Sequence, residues 1–330
     1  MEYKKILITG TGGFISYHLA KRLLKEGKTI VGIDCMNNYY DPKIKEKRNK
    51  ELLVNENYTF YQIDFSHFDK LDEVIEKEKP DLIIHLAAQA GVRYSIDNPW
   101  AYESANTLGT MNIFETAKKH KIKRVLFASS SSVYGANEKV PFAESDRTDN
   151  QVSLYAASKK GNEVMAYSYH HLYGIEVAGF RFFTVYGKMS RPDMAMFKFA
   201  KNMLLGKKIN VYNNGEMGRD FTYIDDIVSG IIGAMNKEDL KYEIYNLGGD
   251  NPIKLMRFIE LIEENLGMKA DINFMPMQAG DVKETYADIE KAKRELGYNP
   301  QTKIEEGVKI FCEWFLENKD WLLELDDPKQ

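Results

Sequence analysis

The sequence contains little that would tie the protein to an oxidising compartment, a nucleic acid or a membrane. Only Cys35 and Cys312 occur among 330 residues, which argues against a disulfide framework and favours a reducing, cytoplasmic setting. The formal charge of −4 supplies no basic field for nucleic acid. The apolar run at the start of the chain soon reaches a glycine cluster. It therefore predicts neither a signal peptide nor a membrane-spanning helix.

Hydrophobic residues, in contrast, are abundant, at 44% of the chain with 20 Tyr and 17 Phe. This composition predicts a packed core rather than disorder. In the first half, short β-rich runs alternate with helical stretches. Strands are predicted at residues 5–9, 29–34, 59–64, 82–86, 124–128 and 176–180. The alternation predicts an α/β fold of the Rossmann type, with a doubly wound parallel sheet covered by helices on both faces.

The pattern loosens after about residue 182. Helices are predicted at residues 194–205, 225–235, 255–266, 289–296 and 304–318, with short extended pieces at 210–212 and 243–247. We therefore expect one domain over residues 1–182 and a smaller C-terminal α/β lobe over residues 183–330. Some segments of that lobe are expected to return to the first domain.

A glycine cluster separates the first predicted strand from the first helix. Gly10, Gly12 and Gly13 allow a sharp turn and a close approach of a pyrophosphate to a helix N-terminus. Asp34 ends the second strand about 20 residues further on, where an acidic residue binds ribose hydroxyls. Its carboxylate repels a 2′-phosphate, which favours NAD over NADP. Asp64 follows the third strand, where it can face the adenine or be an ordinary loop residue.

Tyr155 and Lys159 form a second candidate site. Four residues apart on a helix, they share one face. An ammonium at ~4 Å lowers the pKa of a tyrosine by about three units at an effective dielectric of ~20. We therefore expect Lys159 to help generate a Tyr155 phenolate. Upstream, Ser129–Ser132 follow a predicted strand, at the strand end where ligands bind in such sheets.

Six motifs together resemble the NDP-sugar epimerase branch of the extended short-chain dehydrogenases/reductases, and within it the UDP-glucuronate 4-epimerases. They are TGTGGFI (9–15), LAAQAGVRYS (86–95), SSSSVYG (129–135), SLYAASKK (153–160), RFFTVYG (181–187) and RDFTYIDD (219–226). The match covers nearly the whole chain. One departure is Ser16, which stands where the family usually has a third glycine. We expect slightly looser strand–helix packing there rather than loss of NAD.

The resemblance implies a role for each matching residue. Tyr155 is the base, Lys159 binds the nicotinamide ribose, and Ser130 bonds the sugar 4-hydroxyl. The other implied cofactor residues are Gly10, Gly12, Gly13, Phe14, Ile15, Asp34, Asp64, Leu86, Ala87, Ala88 and Asn106. Arg219 is implied as the clamp on the nucleotide diphosphate, with an interlobe ion pair as the alternative, and Asp281 is implied near the nucleotide. Arg191 and Arg93 are weaker candidates around the diphosphate and the sugar, and each can instead be a surface or structural arginine. No metal is expected.

The four serines Ser129–Ser132, here called the serine strip, favour one reaction within the family. Related dehydratases and decarboxylases carry an acidic residue where this chain has Ser131 and Ser132, so simple epimerisation is favoured. Ser131, Ser132 and Thr184 can donate hydrogen bonds to a sugar carboxylate, or merely satisfy backbone groups. The first interpretation predicts UDP-glucuronate as the substrate. The alternatives are a UDP-glucose or UDP-N-acetylglucosamine 4-epimerase and, from another class, a non-catalytic NAD-binding protein.

The resemblance also implies a homodimer. The family commonly pairs two helices in a four-helix interface, here predicted at residues 99–119 and 155–173. The second is rich in large side chains for a surface helix, which can instead pack into the core. No nucleic-acid or membrane partner is expected.

Overall fold

A computed structural model describes residues 3–278 and 283–328 and shows a seven-stranded, wholly parallel sheet. Its strands lie in the order β10-β6-β5-β4-β1-β2-β3. They are β1 (Lys5–Thr9), β2 (Thr29–Asp34), β3 (Tyr58–Gln62), β4 (Leu82–His85), β5 (Arg124–Ala128), β6 (Glu176–Phe182) and β10 (Tyr242–Leu247). From β1 the chain goes on to β2 and β3 at one edge of the sheet, and from β4 it goes on to β5, β6 and β10 at the other edge. The doubly wound parallel sheet predicted from the sequence is thus confirmed.

Helices cover both faces of this sheet because its strands are apolar on both sides. Two hydrophobic clusters result, one around Ile6, Ile8 and Ile84, the other around Leu7, Val31 and Ile83. Alternate residues of β1 thus enter opposite clusters, as the two-residue period of a strand requires. The helices that connect or flank these strands are α1 (Phe14–Lys25), α2 (Pro42–Leu52), α3 (Phe68–Glu78), α4 (Tyr94–Asp97), α5 (Pro99–Tyr102), α6 (Gly109–Lys119), α7 (Leu154–Tyr173) and α9 (Ile224–Asn236). A π-helical turn, Glu103–Leu108, joins α5 to α6.

The chain after residue 182 builds two small sheets and also contributes to the large one. Strand β9 (Gly218–Tyr223) pairs in parallel with β7 (Thr184–Tyr186) and antiparallel with β11 (Pro252–Lys254), while β8 (Ile209–Val211) pairs with β12 (Ile272–Phe274). Strand β10 lies beside β6, with Tyr242 opposite Val177. The remaining helices are α8 (Ala195–Leu204), α10 (Leu255–Leu266), α11 (Glu290–Leu296), α12 (Ile304–Glu317) and α13 (Lys319–Leu323).

The order of the strands positions the site. Strands β1 and β4 are neighbours, but their connections run to opposite sides of the sheet, which leaves a crevice beyond their carboxyl ends. Within the described residues, no helix is long and apolar enough to cross a membrane. The same part of the chain holds no cluster of His, Cys, Asp and Glu suited to a metal ion.

Candidate active site

A cleft of about 1400 Å³ opens at the carboxyl ends of the strands. It collects most of the residues singled out from the sequence, from both parts of the chain. Those that line it are Gly10, Gly13, Phe14, Ile15, Asp34, Asp64, Leu86, Ala87, Ala88, Arg93, Ser130, Ser131, Ser132, Tyr155, Lys159, Thr184, Arg191 and Arg219. Asp281 lies outside the described residues.

The glycine turn is closed by backbone hydrogen bonds. Gly10 has a φ of +77° and donates its N–H to the Ile33 carbonyl at 2.6 Å, while Gly13 donates to the Gly10 carbonyl at 2.7 Å. A Cβ on Gly13 would lie 2.8 Å from that carbonyl, and one on Gly12 would lie 3.0 Å from the Asp34 carboxylate. The turn therefore has no room for side chains, and the N-terminus of α1 stays open to a pyrophosphate.

Asp34 is buried at the end of β2. One carboxylate oxygen accepts the Gly12 N–H at 3.0 Å and the other accepts the Met36 N–H at 2.7 Å. A carboxylate has about four acceptor positions, so two remain for the hydroxyls of a ribose. The cradle and this acid together fit NAD.

Ser16, in place of the third glycine, is only 3% exposed. Its hydroxyl donates to the Thr9 carbonyl at 3.0 Å, so the polar atom of the extra side chain has a partner between β1 and α1. This contact explains how the strand–helix junction accommodates a serine.

The segment that follows β4 lines the part of the cleft next to the glycine turn and Asp34, here called the cofactor half. Ala87 donates its N–H to the Thr9 hydroxyl at 3.1 Å. The Asn106 side chain forms two hydrogen bonds with the Gln89 backbone, at 2.8 and 3.1 Å, and a third with the Ser158 hydroxyl at 3.0 Å. Asn106 therefore fixes the Leu86–Gln89 segment against α7 instead of lining the cleft.

Asp64 lies two residues beyond the end of β3, which is shorter than the sequence predicted. Its side chain is exposed and accepts the Ser66 N–H at 2.9 Å, as in an Asx turn. The local role as a loop residue is thus satisfied. Its place on the cleft wall leaves the second carboxylate oxygen available to an adenine.

The predicted catalytic side chains meet where β5 ends against α7. The Lys159 ammonium donates to the Ala128 carbonyl at 2.9 Å, and Ser130 caps a short 3₁₀ turn by accepting the Ser132 N–H at 3.1 Å. Burial raises the pKa of the Tyr155 phenol, against the effect of its hydrogen bond with Ser130. Ser130, Tyr155 and Lys159 all line the cleft at this point.

In the protein without NAD the pKa of Tyr155 is raised rather than lowered, and the joint effect of Lys159 and the nicotinamide charge stays a prediction. Burial lowers the pKa of Lys159 to about 7, so its positive charge is only partly present at neutral pH. Its ammonium is also engaged by a backbone carbonyl. Desolvation therefore outweighs the attraction that sequence spacing suggested.

Behind the serine strip lies a buried ion pair that sequence reasoning missed. Arg181 donates from two nitrogens to Glu163, each at 2.9 Å, and Ser129 donates to the same carboxylate at 2.7 Å. Arg181 stands in the RFFTVYG motif, and Glu163 lies on α7 one turn beyond Lys159. The pair clamps β6, the serine strip and α7 together.

The arginines of the cleft all have partners. Arg191 forms a two-pronged ion pair with Asp193, at 2.9 and 2.5 Å, while Arg93 lies over the Tyr212 ring with 5.0 Å between guanidinium and ring centre. Arg219 donates to the carbonyls of Gly218 and Lys283 at 2.8 and 3.2 Å. Sequence reasoning missed Asp193, although its spacing from Arg191 permits a bidentate pair.

Helix α2 was missed as well, because its composition is that of a solvated surface helix. Lys45, Arg48 and Asn49 are instead buried. Lys45 donates to the carbonyl and side chain of Asn37, just beyond Asp34, at 2.9 and 2.8 Å. Asn49 accepts from the Tyr58 hydroxyl at 3.0 Å. Through these hydrogen bonds, helix α2 therefore stabilises the loop after β2 and the start of β3.

Comparison with known proteins agrees with this geometry. The family described as GDP-mannose 4,6 dehydratase matches residues 7–311. An uncharacterised protein of Methanocaldococcus jannaschii is 60% identical over 327 residues, covering 98% of this chain and all of the relative. The UDP-glucuronate 4-epimerase of Thermodesulfobacterium geofontis is 45% identical over 313 residues, covering 94% of this chain and 96% of that enzyme.

A solved structure is similar to this chain in fold. It is UDP-glucuronic acid 4-epimerase from Bacillus cereus in complex with UDP-glucuronic acid and NAD, with a TM-score of 0.90 and 32% identity over 95% of this chain and 99% of that one. The resemblance inferred from the motifs is thereby confirmed. The chain belongs to the extended short-chain dehydrogenase/reductase family, in the branch that contains the NDP-sugar epimerases.

Proposed function

We propose that the protein is a UDP-glucuronate 4-epimerase that interconverts UDP-glucuronate and UDP-galacturonate. The observation that carries the proposal is the lining of one cleft by Ser130, Tyr155 and Lys159 together with Ser131, Ser132 and Thr184. The first three are the groups for oxidation and reduction at C4. The last three are hydroxyl donors suited to a carboxylate.

The cofactor is NAD, held by the glycine turn, Asp34, the 86–88 segment and Lys159. NAD, when bound, takes and returns the hydride of C4 and adds positive charge beside the phenol. Because the hydride returns to the same sugar, the cofactor is regenerated in each turn. We therefore expect NAD to co-purify with the protein, and a protein fully active without nicotinamide would contradict this assignment.

Tyr155 removes the proton of the 4-hydroxyl, and Ser130 holds both oxygens in line. Burial raises the pKa of Tyr155, so the free enzyme keeps the phenol protonated, and the proton acceptor forms only when cationic groups are gathered around it. The reverse step returns this proton to the alkoxide on the other face of C4. One residue thus serves both directions.

The sugar must turn over between the two steps while its diphosphate stays bound. Arg191, Arg219 and Arg93 line the same cleft, and guanidinium groups match phosphate oxygens with paired N–H donors. We propose that they hold the diphosphate, with Asp281 beside the nucleotide. Rotation then takes place about the bonds between the sugar and the diphosphate.

The carboxylate makes a special demand. A 4-keto hexuronate is a β-keto acid, which loses carbon dioxide when the bond to its carboxylate aligns with the carbonyl π system. Ser131, Ser132 and Thr184 can hold the carboxylate out of that alignment without supplying an acid or a base. Epimerisation without decarboxylation therefore follows from the hydroxyl character of this wall.

The deciding experiment incubates the purified protein with UDP-glucuronate, UDP-glucose and UDP-N-acetylglucosamine separately, and resolves the products by NMR. We expect UDP-galacturonate from the first, with little UDP-pentose. Preference for a neutral sugar would transfer the assignment to one of the alternative 4-epimerases. Absence of turnover on all three would favour a non-catalytic NAD-binding protein.

We further propose a homodimer formed by the run of helices α5–α6 and by α7. Exposed apolar side chains occur on both, namely Leu108, Met111, Val164, Tyr167, Leu172 and Tyr173. Met165 and Tyr169 of α7 pack inward instead. Light scattering at micromolar concentration tests the proposal, and a monomer would contradict it. A cytoplasmic location is proposed as well, because both cysteines are free thiols.

A further inference from the structure

Arg48, on the buried face of α2, joins two parts of the active site that are distant in sequence. Its side chain is fully buried. One terminal nitrogen donates to the Gly12 carbonyl at 2.6 Å and to the Tyr40 hydroxyl at 3.1 Å. The other donates to the carbonyls of Met189 and Ser190 at 2.8 and 3.3 Å. The guanidinium thus lies between the glycine turn and the segment just before Arg191.

The segment that Arg48 holds has an unusual backbone. Met189 is buried and has a φ of +56°, a region that residues other than glycine and asparagine rarely adopt. His18 adds a second link, because its Nε2 donates to the Lys188 carbonyl at 2.8 Å. Hydrogen bonds from α1 and α2 therefore hold residues 188–190 in the conformation that directs Arg191 into the cleft.

The charge of Arg48 is also notable. All four of its acceptors are uncharged oxygens, and within the described residues none of its recorded contacts is a carboxylate. A buried charge without a counterion is costly, and because Arg48 contacts the Gly12 carbonyl, an anion bound at the glycine turn would lower that cost. Burial lowers the pKa of the neighbouring His18 to about 4 against the effect of the Lys188 contact, and the charge of Arg48 adds to the lowering.

We propose that Arg48 is a positioning residue that couples the NAD site to the substrate-diphosphate site. By holding Gly12 on one side and Met189–Ser190 on the other, it makes each site better ordered when the other is occupied. NAD and the nucleotide diphosphate then strengthen each other's binding by the same factor, because coupling between two sites is reciprocal. The inference rests on the proposed function, in which both ligands occupy this cleft.

Calorimetry on NAD-depleted protein tests the coupling without turnover. NAD is titrated with and without saturating UDP, and UDP with and without saturating NAD. In the wild type we expect each ligand to tighten the other about tenfold, within the usual range for coupled sites. The variants are Arg48→Met, Arg48→Lys and Lys50→Met. The last is a matched control, because Lys50 is a cation on the exposed face of the same helix.

Arg48→Met should weaken NAD about tenfold or more and abolish the coupling. Arg48→Lys keeps the charge but lacks the planar fork that spans both sides. It should therefore restore most of the NAD affinity while the coupling factor stays near one. Lys50→Met should match the wild type. The lysine variant keeps the test decisive if the methionine variant does not fold.

Wild-type coupling in Arg48→Lys, or independent binding of NAD and UDP to the wild type, would overturn the inference. Either result leaves the proposed function intact, because both ligands still bind. Failure of the wild type to bind NAD or UDP at all would instead refute the proposed function. The two failures are therefore distinguishable.

Discussion

The half of the cleft around the glycine turn and Asp34, the cofactor half, is built from different kinds of groups than the half around Ser130, Tyr155 and Thr184, the substrate half. In the cofactor half, the contacts around the glycine turn are mainly backbone N–H and carbonyl groups, with Asp34 as the main side chain. In the substrate half, the groups that we propose to react or bind are side chains lining the cleft, above all Tyr155, Ser130 and Thr184. Apart from the glycines, Asp34 and Arg48, substitutions in the cofactor half should therefore affect activity less than the loss of Tyr155 from the substrate half.

Tyr155→Phe should show the largest effect of this kind. The ring remains, but the atom that accepts the proton is gone, and general acid–base groups contribute roughly 10²–10⁴-fold to a rate. We expect turnover of UDP-glucuronate to fall by about 10³-fold or more, while bound NAD per protomer stays unchanged. Product NMR and the absorbance of released NAD measure the two quantities. A variant that retained a tenth of wild-type activity would show that Tyr155 is not the base.

Lys159 lies where the two halves meet, and its burial has a consequence for stability. Its pKa is lowered to about 7, against about 10.4 in an unfolded chain. Between these values the unfolded chain holds a proton that the folded protein lacks, so raising the pH stabilises the folded state. The slope is at most about 1.4 kcal/mol per pH unit for one proton.

Urea unfolding of NAD-free protein from about two pH units below the folded pKa of Lys159 up to that of an unfolded lysine measures this contribution. The wild type should gain free energy of unfolding relative to Lys159→Met as the pH rises, and below pH 7 the difference should become constant. Equal pH dependence of the two proteins would mean that Lys159 keeps an ordinary pKa.

Thr184→Val tests whether the hydroxyl wall recognises the acid sugar. Thr184 starts β7 and lines the cleft, and a hydrogen bond to a charged group is worth ~1.5–3 kcal/mol. We expect the KM for UDP-glucuronate to rise about tenfold, with a larger share of decarboxylated product. Binding of UDP-glucose should change little. An equal effect on both sugars would refute the carboxylate site but not the epimerase assignment.

Whether a residue's contacts are local or distant in sequence decides what the sequence could predict. The bounds of β1 and β2 were predicted correctly, because both are short apolar runs that end at glycine or aspartate, and Asp34 follows from that local order. Arg48 could not be predicted. Its partners Gly12 and Met189 are 36 and 141 residues away, and its neighbours on α2 are mostly charged. Burial of a polar side chain by distant backbone leaves no local periodicity to detect.

The direction of the Tyr155 pKa shift likewise could not be predicted from the sequence. The spacing of Tyr155 and Lys159 gave their common helix face, but burial raises the pKa of Tyr155, and the Ala128 carbonyl engages the Lys159 ammonium. Both arise from the packing of α7 on β5. Sequence spacing therefore identified candidate reacting groups, while their protonation depends on the tertiary structure.

Ser16→Ala should have the smallest effect, since it lies in the cofactor half and leaves every backbone group of the glycine turn in place. The substitution removes only the hydroxyl that donates to the Thr9 carbonyl. Such a bond contributes ~0.5–1.5 kcal/mol to stability, which predicts a fall in Tm of about 1–3 °C for a chain of this size. NAD content and turnover should stay at wild-type levels, because no atom of the pyrophosphate cradle changes. Differential scanning calorimetry and released-NAD absorbance provide the comparison. Loss of NAD from Ser16→Ala would show that side-chain packing behind the turn, and not its backbone alone, holds the cofactor.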